Sequence, residues 1–277
     1  MPERPADRPP ERRVAAITGA SAGIGAVFAR KLAARGYDLL LIARREDRLR
    51  SLASELAESY RIAADFMAAD LANDADLERV AARIQQEPQL GLLVNNAGFG
   101  TFGFFFEADV RDQEQMHRLH VLATMRLTHA ALANMAPRNT GGVINVSSVA
   151  GFMQSPGNVS YNATKAWMNS FTEGVAIELS IKAPRVKVQA LCPGFTLSEF
   201  HDVAGIDRRP IPSSLWMPAE FVVERSLDGF DRGELFVVPG WRYKLIVAGM
   251  KLMPGPLLRR MTAMGARRIR RPRQPET

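Results

Sequence analysis

The chain has 277 residues, of which 47% are hydrophobic and 23% charged, with a single cysteine and a formal net charge of +7. One cysteine excludes an intramolecular disulfide and is typical of a reducing compartment, so we expect a cytoplasmic protein. No apolar run reaches the ~18 residues of a membrane span, and the N-terminus has no signal-like apolar stretch.

The positive charge is concentrated at the C-terminus. Residues 241–277 contain ten Lys or Arg and one Glu, a net +9, whereas residues 1–240 contain 26 basic and 28 acidic residues, a net −2. A high isoelectric point can indicate a nucleic-acid partner, but the nearly neutral body contains no pattern of a base-reading element. We therefore expect no nucleic-acid partner.

Strand-like and helix-like segments alternate without a linker over residues 13–240. The predicted strands are Val14–Thr18, Asp38–Ala43, Ile62–Ala68, Leu90–Asn95, Gly142–Ser147, Val186–Leu191 and Leu235–Val238. The predicted helices are Ala22–Arg35, Glu46–Ser59, Asn73–Gln86, Asp109–Met135, Asn158–Ile181 and Pro218–Gly229. This alternation predicts one α/β domain, a doubly wound parallel sheet of about seven strands with helices on both faces. Such a sheet binds ligands beyond the carboxyl ends of its strands.

The two ends of the chain differ from this domain. Residues 1–12 hold four prolines among charged residues, which predicts a disordered arm. Residues 241–277 are predicted to be an apolar and basic C-terminal extension. Such a segment can lie on an anionic bilayer, as a peripheral contact, or it can cover the cleft or a subunit interface with a solvated basic tail.

A glycine-rich turn follows the first predicted strand. Its glycines are spaced Gly-x-x-x-Gly-x-Gly, and the candidate contacts to a dinucleotide are Gly19, Ser21, Gly23, Ile24 and Gly25. Glycines let the backbone approach a pyrophosphate, and the helix that follows offers free N–H groups and a partial positive charge. The alternative is an ordinary glycine turn that packs a helix onto the sheet.

Two arginines follow the second predicted strand, where an NAD site would need a carboxylate for the ribose hydroxyls. Arg44 and Arg45 stand there instead, and guanidinium suits a 2′-phosphate. The pattern therefore favours NADP. The alternative is that both arginines only pair with Glu46 or Asp47 at the start of the next helix.

Ser148, Tyr161 and Lys165 form the candidate reaction centre. Ser148 ends a buried strand, and Tyr161 and Lys165 are four residues apart on one helix face. An ammonium one turn away favours the phenolate and is expected to lower the phenol pKa from ~10, which would make Tyr161 a usable acid or base. A half-buried tyrosine beside a snorkelling lysine is the alternative.

Together these motifs, with Asn95-Asn96-Ala97-Gly98 between them and Pro193-Gly194 after them, resemble the classical short-chain dehydrogenase/reductase family over residues 13–239. The resemblance implies a Rossmann-type fold and carbonyl reduction with Tyr161 as general acid. It also implies that Lys165 holds the nicotinamide ribose and that Ser148 hydrogen-bonds the substrate oxygen.

The resemblance assigns further cofactor contacts. Pro193, Gly194 and Thr196 would cover the nicotinamide, with Thr196 or Ser198 near the carboxamide. Residues 95–98 would brace the sheet and touch the adenosine ribose. Asp70, with Leu71, would contact the adenine amine, unless Asp70 serves only the start of the helix at Asn73.

His120 departs from the family pattern, which has an asparagine 28 residues before the catalytic serine. In the family this asparagine holds a water that links the lysine to solvent. A histidine could keep such a relay through a ring nitrogen, or it could simply be packed. His120 is therefore a doubtful fourth catalytic residue, and no metal site is predicted.

The expected activity is NADPH-dependent reduction of a lipophilic ketone or aldehyde. The lipophilic character rests on an aromatic lining predicted from Phe99, Phe102, Phe104, Phe152, Met153 and the loop from Phe195 to Trp216, which could equally be core. The alternatives are a 3-oxoacyl thioester reductase and a non-catalytic NADP-binding protein. The resemblance also implies a homodimer or homotetramer formed through the helices Asp109–Met135 and Asn158–Ile181.

Overall fold

The computed structural model describes residues 12–199 and 211–266. The predicted arm at residues 1–11 and the arginine-rich tail at residues 267–277 lie outside the described residues. Arg12, which we predicted to be part of the arm, lies 3.9 Å from the Asp38 carboxylate at the edge of the domain.

The central sheet has seven parallel strands in the order β3-β2-β1-β4-β5-β6-β9, which confirms the predicted doubly wound α/β fold. A separate pair, β7 and β8, is also parallel. The strands are β1 Val14–Thr18, β2 Asp38–Ala43, β3 Ala64–Ala68, β4 Leu90–Asn95, β5 Gly142–Val146, β6 Lys187–Leu191, β7 Thr196–Leu197, β8 Met217–Pro218 and β9 Phe236–Val237.

Nine α-helices lie within the described residues. They are α1 Gly23–Ala34, α2 Glu46–Tyr60, α3 Asp74–Gln85, α4 Val110–His117, α5 Thr124–Arg138, α6 Val159–Lys182, α7 Ala219–Asp231, α8 Trp241–Leu252 and α9 Gly255–Ala266. Short 3-10 turns occupy Val149–Phe152 and Ser213–Leu215. None of the helices in residues 12–199 and 211–266 combines the length and hydrophobicity needed to span a bilayer.

The two faces of the sheet pack into two apolar layers, because the parallel strands are buried on both sides. Leu41 and Ile144 belong to one layer, with α1, α2 and α7 above them. Leu40 and Leu93 belong to the other, with α3 and α5. The winding of the chain reverses between β1 and β4, which are neighbours in the sheet. The cleft described below opens at this switch point.

The helix predicted over Asp109–Met135 is instead divided. Asp109 caps α4 by accepting a hydrogen bond from Arg111 N, and a π-helical turn at Arg118–Ala123 then separates α4 from α5. A π turn inserts an extra residue and rotates the following side chains. Here it lies where His120 becomes fully buried.

Strand β3 begins at Ala64, two residues later than the strand predicted at Ile62–Ala68. Arg61 adopts a left-handed conformation, with φ of 53°, at the end of α2. The N–H of Ala63 then donates to the Asp38 carboxylate at 2.8 Å, so ladder pairing starts at Ala64. The last three predicted strands are one or two residues longer than β5, β6 and β9 in the structure. The strands β7 and β8 have only two residues each, so no sequence pattern predicts them.

Candidate active site

Ser148 lies directly after β5, where the strand opens into the cleft. Its side chain caps the following 3-10 turn, because Oγ accepts a hydrogen bond from Ala150 N at 3.1 Å. The same hydroxyl is 3.4 Å from the carbonyl oxygen of Pro193 and hydrogen-bonds Tyr161. Ser148 is therefore a hydroxyl in a fixed position that faces Tyr161.

Lys165 is buried on α6, one turn after Tyr161. Its ammonium donates to the carbonyl oxygen of Val146 at 2.8 Å, and Nζ lies 5.7 Å from the centre of the Tyr161 ring. Ser147 holds the helix at this point by donating from Oγ to the Lys165 carbonyl at 3.1 Å. Burial lowers the pKa of Lys165 to about 8, because a buried ammonium loses its hydration.

The prediction that Lys165 lowers the pKa of the Tyr161 phenol is wrong for this structure. Burial raises the pKa of the Tyr161 phenol to about 12, and only the hydrogen bond with Ser148 acts in the other direction. Desolvation of the phenolate outweighs any help from Lys165, whose ammonium is directed at Val146. Tyr161 is therefore a neutral phenol at neutral pH, and its raised pKa makes it a weaker acid than a free phenol.

His120 contacts the cleft from the π turn. Its Nδ1 lies 3.0 Å from Thr164 Oγ1, and its Nε2 accepts from Phe99 N at 3.3 Å. Its ring packs edge-on against Tyr161 at 5.9 Å between centroids. Burial and the Lys165 charge lower the pKa of His120 well below 6.5, so the ring is neutral. Both nitrogens thus hold the framework around Tyr161, and neither is directed at Lys165.

The Asn95–Gly98 segment braces the sheet beside the cleft. Asn95 Nδ2 donates to Asn145 at 2.8 Å and to Thr128 at 3.0 Å, which links β4 to β5 and α5. Asn96 Nδ2 donates to the carbonyl oxygens of Thr18 and Gly19 at 2.9 and 3.3 Å. Ala97 N is hydrogen-bonded to the Thr18 hydroxyl at 3.0 Å, and a Cβ on Gly98 would come within 2.6 Å of His120. The predicted bracing role matches this geometry.

The glycine turn is built for close backbone contact. Gly19 has φ of +65°, and a Cβ on Gly25 would lie 2.3 Å from the Gly19 carbonyl oxygen, so neither position accepts a larger residue. At Ala22 no side chain caps α1, and the first turn of that helix has no acidic residue. The first N–H groups of α1, near Gly23 and Ile24, are therefore available to an anion, and this turn fits the pyrophosphate of a dinucleotide.

The arginines after β2 lie beside this turn. Arg45 donates to the hydroxyl of Ser21 from Nε and Nη2, at 3.2 and 3.1 Å, and from Nη1 to Glu199 at 2.9 Å. Arg48 donates to the same carboxylate at 2.6 Å. The alternative that Arg45 only pairs with its neighbours in α2 is wrong. Arg44 is exposed and pairs with no residue of the described chain.

Asp70, the acidic residue expected at the adenine, follows β3 on the same side of the switch point as the glycine turn. Asp70 is exposed, and its carboxylate accepts a hydrogen bond from Ala72 N at 3.0 Å. Asn73 caps α3 with its own side chain, so Asp70 is not the cap. Leu71 is buried in the apolar layer under α3. The Asp70 carboxylate is thus exposed, and its contact with an adenine stays a prediction.

Tyr243 of α8 fixes the segment that follows Pro193 and Gly194. Its hydroxyl accepts from Phe195 N at 3.0 Å and donates to the carbonyl oxygen of Leu215 at 2.7 Å. A Cβ on Gly194 would lie 2.0 Å from the Tyr243 ring, so only glycine allows this packing. The Thr196 hydroxyl donates to the Gly194 carbonyl at 3.0 Å. The start of the C-terminal extension therefore supports the cofactor cleft.

The predicted aromatic lining is only partly assembled. Phe195 and Trp216 pack together at 5.3 Å, and Phe152 packs on Phe236 at 6.1 Å. Lys251 of α8 places its ammonium 5.1 Å from the centre of the Phe152 ring. Two further aromatics, Phe102 and Phe104, are 39% and 49% exposed, and Phe99 and Met153 are half-buried. The loop over residues 200–210 lies outside the described residues.

Sequence reasoning missed three contributors to the cleft: Arg48, Glu199 and Tyr243. Arg48 stands three residues after Arg45, so helical spacing could have revealed it. Glu199 and Tyr243 carry no local signal, because their partners are 28 or more residues away. No cluster of His, Cys, Asp or Glu suited to a metal occurs in the described part of the chain.

Known proteins are similar to this chain in sequence and in fold. A family model described as short chain dehydrogenase matches residues 13–207. A 3-oxoacyl-[acyl-carrier-protein] reductase of Aquifex aeolicus is 32% identical over 185 residues, 66% of this chain and 73% of that protein. A short-chain dehydrogenase of Sphingobium yanoikuyae, solved in complex with NADPH, has a TM-score of 0.79 at 33% identity over 95% of this chain and 98% of that one. The bulky-bulky ketone specific alcohol dehydrogenase of Comamonas testosteroni has a TM-score of 0.75 at 32% identity over 88% of this chain and 95% of that one.

Proposed function

Since this chain belongs to the short-chain dehydrogenase/reductase family, we propose that it is an NADPH-dependent oxidoreductase that reduces a lipophilic ketone or aldehyde to an alcohol. The observation that carries this proposal is the convergence of Ser148, Tyr161 and Lys165 on one cleft, where Ser148 hydrogen-bonds Tyr161 and the Lys165 ammonium lies 5.7 Å from the centre of the Tyr161 ring. These three groups place a hydrogen-bond donor, a phenolic proton and an ammonium close to one another.

The chemistry of these side chains follows from their protonation. Bound NADPH would supply the hydride to the carbonyl carbon. Ser148 donates a hydrogen bond to the carbonyl oxygen as negative charge develops there. Tyr161 transfers its phenolic proton to that oxygen, so the C=O double bond becomes C–OH and a phenolate remains. The Lys165 ammonium, with a pKa of about 8, offsets the phenolate charge.

The assignment of NADP over NAD rests on Arg44 and Arg45, with Arg48 beside them. The Arg45 guanidinium contacts Ser21 in the glycine turn, and Arg48 lies beside it on the shared Glu199 carboxylate. No carboxylate follows β2 at the position where NAD sites have one. The Sphingobium yanoikuyae relative, solved with NADPH, supports the same assignment. The other proposed cofactor contacts are those of the glycine turn, Asp70, Leu71, residues 95–98, Pro193, Gly194 and Thr196.

The proposed substrate class rests on aromatic surface near the cleft and on one relative. Phe152, Phe195 and Trp216 supply apolar rings on the substrate side, and the Comamonas testosteroni relative is named for bulky ketones. The test is a screen of the purified protein for NADPH oxidation with bulky ketones, steroids, long-chain aldehydes and 3-oxoacyl thioesters, with the alcohol identified by mass spectrometry. Turnover of the first three classes supports the proposal, and turnover of thioesters alone would replace it.

A 3-oxoacyl thioester reductase is the second candidate, and one observation favours it. Acyl-carrier substrates are acidic, and Lys251 lies against Phe152 on the substrate side of the cleft. The Aquifex aeolicus relative is named for that reaction. A non-catalytic NADP-binding protein is the third, and the intact Ser148, Tyr161 and Lys165 argue against it.

The proposed assembly and location rest on surface composition. Exposed apolar side chains on α5 and α6, among them Met125, Ile177 and Ile181, support a homodimer or homotetramer through these helices. The helix α9 exposes Leu257 and Met261, in a segment without acidic residues, which supports a peripheral contact with an anionic bilayer. A cytoplasmic location agrees with the single buried cysteine.

A further inference from the structure

The Glu199 carboxylate joins two parts of the cofactor cleft. Its Oε2 accepts from Arg45 Nη1 at 2.9 Å, and its Oε1 accepts from Arg48 Nη1 at 2.6 Å. Arg45 uses its remaining edge, Nε and Nη2, on the Ser21 hydroxyl in the glycine turn. Glu199 thus connects the segment after Pro193 to both the turn and the start of α2.

The position of Glu199 is set by the close packing of its neighbour. Ser198 approaches the glycine turn so closely that a Cβ on Gly23 would lie 3.0 Å from the Ser198 Cβ. The carboxylate is therefore held at the mouth of the turn, next to the guanidinium groups. The two arginines also lower the pKa of Glu199, so its negative charge persists at neutral pH.

These ion pairs are poorly placed to stabilise the fold. The side chains of Glu199, Arg45 and Arg48 are 44–51% exposed, and half-exposed ion pairs contribute little to stability because water screens them. Their effect is instead local and electrostatic. One carboxylate neutralises part of the positive charge that a phosphate would use.

We propose that Glu199 competes with the 2′-phosphate of NADPH for the guanidinium groups of Arg45 and Arg48, and so limits the preference of the protein for phosphorylated dinucleotides. This inference rests on the proposed function, in which Arg44 and Arg45 receive that phosphate. A phosphate and a carboxylate on the same guanidinium group repel each other. The 2′-phosphate can therefore bind only if Glu199 gives up, or shares, its hydrogen bonds from Arg45 and Arg48. The ligand class concerned is any nucleotide with a phosphate on the 2′ position of the adenosine ribose.

The test measures binding of the full-length protein to 2′,5′-ADP and 5′-AMP by isothermal titration calorimetry. These probes contain no nicotinamide, so the result does not depend on turnover. Glu199→Gln keeps the size of the side chain and removes its charge. We expect this variant to bind 2′,5′-ADP more tightly, on the order of tenfold, and 5′-AMP unchanged.

Glu224→Gln is the matched control, because Glu224 forms a half-exposed ion pair of the same kind with Lys31 at 2.5 Å, away from the cleft. It should leave both affinities unchanged. Unchanged or weaker binding of 2′,5′-ADP to Glu199→Gln would overturn the inference alone, as would an equal gain for 5′-AMP. A wild-type protein that does not prefer 2′,5′-ADP to 5′-AMP would overturn the proposed cofactor, and the inference with it.

Discussion

Replacement of Lys165 by methionine is expected to change how stability depends on pH. Burial lowers the pKa of this ammonium from 10.5 to about 8 in the folded protein. Between these two values the unfolded chain binds more protons than the folded one, so the lysine makes stability rise with pH. The buried lysine lowers the free energy of unfolding most at neutral pH, where it is charged in both the folded and the unfolded state, and least at high pH.

The size of this effect follows from proton linkage. From pH 7 to pH 9.5, the wild-type protein should gain about 2 kcal/mol of unfolding free energy relative to Lys165→Met. Cys192 also titrates above this range in the folded state, since burial raises its pKa to about 12. Because Cys192 is present in both proteins, comparison of the two curves removes most of its contribution.

The assay is urea unfolding followed by tryptophan fluorescence at several pH values from 7 to 9.5. Lys182→Met, at the exposed end of the same helix, is the control for loss of a lysine and should follow the wild-type curve. Parallel curves for the wild type and Lys165→Met over this range would refute the argument that burial dominates the ionisation of Lys165.

Further predictions concern the C-terminal helices. Tyr243→Phe removes two hydrogen bonds, so it should lower the free energy of unfolding by about 1–3 kcal/mol and raise KM for NADPH. Thermal melts and steady-state kinetics measure these two effects. Tyr60→Phe, on the exposed end of α2, should change neither. Leu257→Ser with Met261→Ser should reduce co-sedimentation with vesicles that contain phosphatidylserine, and Ile181→Ser should not. Equal co-sedimentation of the wild type, the double variant and Ile181→Ser would exclude membrane contact through α9.

The fold was predictable because its signals are local. The buried strands read as short apolar runs, and the spacing of Gly19, Gly23 and Gly25 marks a strand–turn–helix unit. Parallel strands separated by helices leave few topologies, so the positions of Ser148 and Tyr161 at one sheet edge followed from sequence order alone. The seven-stranded sheet confirms that reasoning.

The details that sequence reasoning missed depend on tertiary contacts. Glu199 is 154 residues from Arg45 along the chain, so no periodicity links them. The π turn that buries His120 arises within a segment whose pattern reads as one continuous helix. Ionisation was the clearest error: the spacing of Tyr161 and Lys165 was correct, but burial rather than proximity determines both pKa values.

The most direct test of the account is single-turnover reduction by Tyr161→Phe, with NADPH absorbance followed at saturating cofactor and carbonyl substrate. If the Tyr161 phenol donates the proton, loss of its hydroxyl should slow hydride transfer by about 10²–10⁴-fold while 2′,5′-ADP still binds with wild-type affinity. Hydride transfer at the wild-type rate in this variant would contradict the central claim that Tyr161 is the general acid.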